Sequence, residues 1–82
     1  MENLLQYINQ LDPEAREDFA RRCGTTLGYL RKAISTSQRL SEILCIRIAV
    51  ESGGQVLCAD LRPDVDWHYY RQMCNLPEAN HG

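Results

Sequence analysis

The stretch Phe19-Ala-Arg-Arg-Cys-Gly-Thr-Thr-Leu-Gly-Tyr-Leu-Arg-Lys-Ala-Ile34 restricts this chain more than any other, because two helical patterns meet in it at a glycine. Before Gly24, the apolar residues Phe19, Ala20 and Cys23 share one helical face. After it, Leu30, Ala33 and Ile34 do the same. Gly24 has no Cβ, so it can take the left-handed conformation that ends a helix sharply. Thr25 or Thr26 then caps the next helix through its side-chain oxygen. Small Ala20 suits the close approach of two crossing helices. Two helices joined this way form a helix-turn-helix, whose second helix suits the DNA major groove. The plainer alternative is an ordinary helical corner in a small bundle. The joint placement of Ala20, Cys23, Gly24, Thr26 and Leu30 favours the first reading.

The rest of the chain reads as further helices around that pair. Leu4, Leu5, Ile8 and Leu11 form the apolar stripe of a first helix of about three turns. Asp12-Pro13-Glu14 signals the second helix, with Asp12 as cap, Pro13 at the first helical position and acids at the positive end. This helix is expected to run to Cys23, and the third from about Leu27 to Ser35, followed by a polar loop over Ser35 to Arg39. Ser41 caps a fourth helix ending near Glu51 and closed by Ser52-Gly53-Gly54. That helix is apolar nearly all round. Leu44, Cys45 and Ile48 make one stripe; Ile43, Ile46 and Val50 make another, which needs cover from the chain itself or from a second subunit. Val56-Leu57 reads as a brief extended piece, and Ala59 to Leu61 as one helical turn ended by Pro63. Trp67-His68-Tyr69-Tyr70 suits an interface or folds back onto the core.

Net charge alone argues against a nucleic-acid partner, since 11 acids exceed 9 Lys and Arg. Its distribution does not. Arg21, Arg22, Arg31, Lys32, Arg39 and Arg47 face a single acid, Glu42, between residues 21 and 47, while both flanks are net acidic. Phosphates meet a local basic face, not a net charge. The four cysteines, Cys23, Cys45, Cys58 and Cys74, are scattered without a C-x-x-C pair, and His68 and His81 lie far away, so no zinc frame stands out. Cys23 and Cys45 fall on apolar helical faces, as buried thiols do. No Gly-rich phosphate loop, paired carboxylates or Cys/His nucleophile marks an enzyme. No apolar run approaches membrane-spanning length and no basic leader precedes Leu4, which places the protein in the cytoplasm and away from membranes. No cofactor is expected.

The helix-turn-helix stretch resembles that of phage Cro and repressor proteins, with Ala20, Gly24 and Leu30 at the packing positions. The longer run Cys23 to Ser35 resembles a narrower group, the YdaS-like Cro-type repressors of prophages, as do Ser52-Gly53-Gly54-Gln55-Val56 and Asp60-Leu61-Arg62-Pro63-Asp64. The resemblance covers about Leu4 to Trp67. Arg39-Leu40-Ser41-Glu42 departs from it, where more basic residues and a proline opening the next helix are expected. The resemblance implies an all-α, lambda-repressor-like bundle of four to five helices, with a DNA-binding domain over residues 1–67; beyond it, Leu-Pro-Glu-Ala-Asn-His-Gly after Asn75 reads as disordered, which makes 68–82 a partly disordered tail. It also implies a transcriptional repressor of a prophage locus. Relatives of an antitoxin type keep open a second role, neutralising a partner toxin.

On the helical face opposite Leu30 and Ile34, the expected base contacts are Thr26, Leu27, Gly28, Arg31 and Lys32. Arg31 or Lys32 pairs with guanine, Leu27 meets a thymine methyl, and Gly28 lets the backbone come close. Arg21, Arg22, Gln38 and Arg39 are expected on phosphates. Tyr29 either joins them or packs against the first helix. One recognition helix covers too few base pairs to select a genomic site, so a homodimer on a double-stranded palindromic operator is expected. Its candidate interface is Ile43, Ile46, Val50, Trp67 and Tyr70.

Overall fold

A computed structural model describes residues 1–69 of the protein. Five helices follow one another: α1 (Glu2–Gln10), α2 (Pro13–Arg22), α3 (Leu27–Thr36), α4 (Glu42–Glu51) and the short α5 (Cys58–Leu61). Residues 67–69 are helical again, and no strand occurs among the described residues. The fold is the all-α helix-turn-helix bundle that the apolar periodicities imply.

Helices α2, α3 and α4 begin on side-chain caps. Asp12 Oδ1 accepts from the Ala15 N–H at 2.8 Å, Thr26 Oγ1 from the Tyr29 N–H at 3.1 Å, and Ser41 Oγ from the Leu44 N–H at 3.2 Å. Each satisfies one of the first-turn amides that lack an intrahelical partner, worth about 1 kcal/mol apiece. Thr26, and not Thr25, is therefore the cap of α3. Ser41 opens α4 where the family pattern suggested proline.

Three helix ends share one geometry. At the end of α2, the Gly24 N–H bonds the Arg21 carbonyl at 2.9 Å and the Thr25 N–H reaches Ala20 at 3.0 Å, with Gly24 at φ 82°. This double closure needs a left-handed residue just past the helix, which glycine supplies without strain. Gly53 does the same after α4, where the Gly54 N–H bonds Ala49 at 2.9 Å. After α3 the left-handed residue is Ser37, at φ 54°, and the Gln38 N–H bonds Ala33 at 2.8 Å. The expected stop at Ser35 is thus corrected: α3 runs one residue further, to Thr36, and the loop begins at Ser37. A serine in a role usually taken by glycine hid that boundary.

The core joins all five helices. Leu4 and Ile8 of α1, Phe19 and Ala20 of α2, Leu30 and Ala33 of α3, and Cys45 and Ile48 of α4 are buried with Cys23, Leu40, Val56 and Leu61. Tyr7 meets Phe19 edge-on, with ring centroids 5.1 Å apart. Leu5, expected in the α1 stripe, is instead exposed, because the core contact of α1 is the narrower Leu4–Ile8 seam. Val56 is buried but lies in a bend, not in an extended strand. Ser52, the buried polar residue, donates its hydroxyl to the Ala49 carbonyl and accepts from the Val56 N–H, both at 3.1 Å. That pair of bonds gives the Ser52-Gly53-Gly54-Gln55-Val56 motif its structural meaning: it turns the chain back under α4.

The second family motif does similar work. Arg62 donates from Nη1 to the Leu40 carbonyl at 2.8 Å and grips Asp64 at 3.1 and 2.9 Å, while the Trp67 indole donates to the Arg62 carbonyl at 2.8 Å. The segment after α5 is thereby tied to the linker between α3 and α4. That linker sets how α3 is presented.

Candidate nucleic-acid interface

Helix α3 turns Leu30 and Ala33 into the core, so its opposite face must point outward. Thr26, Gly28, Arg31 and Lys32 are exposed there, with Leu27 half-buried at the edge. The five expected base-contact residues are brought onto the outer face and rim of one helix. Among the described residues neither Arg31 nor Lys32 takes part in an ion pair, which leaves both cations open to a ligand there.

The other basic residues divide by what already holds them. Arg16 donates to the carbonyls of Ile8 and Asn9 at 3.0 and 3.3 Å and so closes the end of α1. Arg62 is largely enclosed, with 11 % of its side chain exposed between Glu42 and Asp64. Arg22 bonds Asp18 at 3.0 Å and Glu51 at 2.9 Å, bracing α2 against α4. This makes it the most committed of the expected phosphate contacts. Arg21 and Arg39 are held only loosely, by Asp18 at 3.8 Å and Asp64 at 3.9 Å, and are well exposed. Exposed pairs of this length contribute little and yield readily to a competing anion.

Tyr29 is 39 % exposed, and its hydroxyl accepts from Gln38 Nε2 at 3.1 Å. It lines a crevice with Gly24, Thr25, Ser41 and Arg47, on the α4 side of the motif. Arg47 belongs to the basic segment but not to the contacts expected from sequence. A lone arginine in the apolar run Ile43 to Val50 was the available signal.

The thiols of Cys23 and Cys45 are buried, and loss of hydration raises each to about 11, with Glu51 adding to the effect at Cys23 and Cys58 at Cys45. They are packing groups at ordinary pH. Asp64 is held down at about 2, chiefly by its hydrogen bonds from Arg62.

Of the expected interface, Ile43 and Val50 are 57 and 67 % exposed and stand seven residues apart on one side of α4. Ile46 is half-buried. Trp67 packs against the core and spends its N–H on Arg62, so part of its surface belongs to the monomer. Tyr70 lies outside the described residues. No helix among those residues is long and apolar enough to cross a membrane.

No family model matches the chain, and no solved structure matches it. Two curated proteins of Escherichia coli strain K12 do. A prophage transcriptional regulatory protein is 30 % identical over 59 residues, covering 72 % of this chain and 89 % of that relative. YdaS, described as a candidate transcriptional regulator, is 36 % identical over 53 residues, covering 65 % of this chain and 54 % of YdaS. The match therefore spans about half the length of YdaS but nearly all of the other relative.

Proposed function

The chain belongs to the family of YdaS-like prophage transcriptional regulators, and from that premise we propose that it is a Cro-type repressor that reads a palindromic operator through α3. The observation that carries this reading is the outer face of α3, where Arg31 and Lys32 stand exposed, with no ion pair among the described residues, beside Thr26, Leu27 and Gly28. Arg31 or Lys32 offers paired donors to guanine, and the Leu27 side chain an apolar contact for a thymine methyl. Arg21, Gln38, Arg39 and Tyr29 flank that face and take phosphates. Arg22 joins them only by releasing Glu51 or Asp18.

Two protomers pair through the exposed stripe of α4, Ile43 and Val50 with the rim of Ile46; Trp67 and Tyr70 are added to that surface on their aromatic character in sequence. Two-fold symmetry then sets inverted half-sites about 34 Å apart, one turn of the duplex. The test is selection of bound oligonucleotides from a random pool, followed by titration of the selected palindrome and of one half-site. Enrichment of an inverted repeat, with the palindrome bound more tightly than its half, is the expected result. Arg31→Ala should then cost about 1–3 kcal/mol at one base pair, whereas Arg39→Ala should weaken all sequences alike. Equal affinity for palindrome and half-site refutes the dimer. Equal, sequence-independent losses from both variants refute base reading by Arg31.

The exposed apolar stripe also supports a second reading, an antitoxin-type module whose α4 covers a partner toxin. A toxin gene beside this one, and a complex that masks Val50, would favour it. A divergently transcribed repressor gene would favour the Cro-type reading.

A further inference from the structure

One cation beside the reading face makes no ion pair or hydrogen bond among the described residues and has no place in the DNA contacts proposed above. Arg47 lies in the middle of α4, exposed, on the flank facing the α2–α3 turn. Its guanidinium Nη1 fills the space that a Cβ on Gly24 would need, so the absent side chain is what lets it settle over the turn. Glu51, one helical turn further along α4 and the natural partner at i+4, is taken by Arg22 at 2.9 Å. Glu42, at the start of α4, is turned to Arg62 at 3.5 Å. Arg47 forms no ion pair among the described residues.

The result is an unneutralised guanidinium at the edge of an open crevice that Thr25, Tyr29 and Ser41 also line. All three carry a hydroxyl; those of Tyr29 and Ser41 already accept from Gln38 Nε2 and the Leu44 N–H, so each still has its own O–H to donate. A guanidinium presents paired N–H donors that match the oxygens of a phosphate. We infer that this crevice is a phosphodiester site, in which Arg47 over Gly24 binds one backbone phosphate of duplex DNA beside the reading face of α3. The inference rests on the DNA reading above and extends it. It also gives Gly24 a second task, since the left-handed turn and the seat for Arg47 both require a residue without a side chain.

Binding of the full chain to a short duplex of mixed sequence, followed by fluorescence anisotropy between about 50 and 200 mM salt, tests it. Each phosphate neutralised adds about 0.9 to the slope of log K against log salt. Arg47→Ala should lower the slope by about 0.9 per bound protomer, on every sequence alike. Arg47→Lys, which keeps the charge, should retain it. Arg47→Gln keeps a long polar stem without the charge and should repeat the loss, including where the alanine variant folds poorly. An unchanged slope in the folded neutral variants, with only a lower melting temperature, would make Arg47 a packing group and overturn the site. A wild type with no salt-dependent DNA binding would remove the DNA reading itself. A steep wild-type slope that the neutral variants leave intact removes this assignment alone.

Discussion

Replacing Gly28 by alanine should move stability and DNA affinity in opposite directions. Gly28 is the second residue of α3, and it is absent from the residues with positive φ. A Cβ built on it would meet only Thr26 Oγ1, at 4.0 Å, which is ordinary contact. The fold therefore has no use for a glycine there, and a helical glycine is less stable than alanine by about 0.5–1 kcal/mol. Gly28→Ala should raise stability by that amount, or the melting temperature by a few degrees, since about 4–8 °C accompanies each kcal/mol in a domain of this size. The same methyl would stand on the outer face of α3, where the backbone is proposed to approach the bases. Forcing an extra methyl into a close-packed contact costs about 1–3 kcal/mol, and at about 1.4 kcal/mol per tenfold this is roughly a 5- to 140-fold loss of affinity. Thermal melts followed by circular dichroism and anisotropy on the selected operator measure both terms. A higher melting temperature with unchanged affinity would refute close approach at Gly28. A lower melting temperature would refute the helix argument.

Three further outcomes follow from the interior and its ties. Ser52→Ala should destabilise the fold by about 1–3 kcal/mol, because the buried Val56 N–H loses its acceptor; a denaturant melt with an unmoved midpoint would show that another group replaces it. Asp64 is depressed to about 2 by Arg62, so its ionised form stabilises the native state above the ordinary aspartate range near pH 4, and that contribution disappears as pH falls toward 2. Asp64→Asn should flatten the stability profile in that window, and parallel profiles would contradict it. Cys23 and Cys45, both raised to about 11 by burial, should resist alkylation of the native protein at pH 8 and react on unfolding, which peptide mapping resolves; prompt native labelling of either would place it outside the core.

The helix-turn-helix was legible in the sequence because its determinants are local. A glycine between two apolar helical seams, Asp12-Pro13 before α2 and Ser41 before α4 act through bonds that span only a few residues. Hydrophobic periodicity likewise marked Leu30 and Ala33 as inward, and so Thr26, Gly28, Arg31 and Lys32 as outward. Where local chemistry was atypical, as at Ser37 in the left-handed region, the boundary could not be read. The basic segment was visible as a total, but not the division of labour within it. Arg16, Arg22, Arg31, Arg47 and Arg62 are the same residue type in sequence. Only the tertiary structure brings Glu51 to Arg22, the Leu40 carbonyl to Arg62 and the Gly24 turn to Arg47. Which arginine stays without an ion pair among the described residues depends on contacts between residues more than twenty positions apart. Those are set by how the helices pack, and no local pattern encodes them.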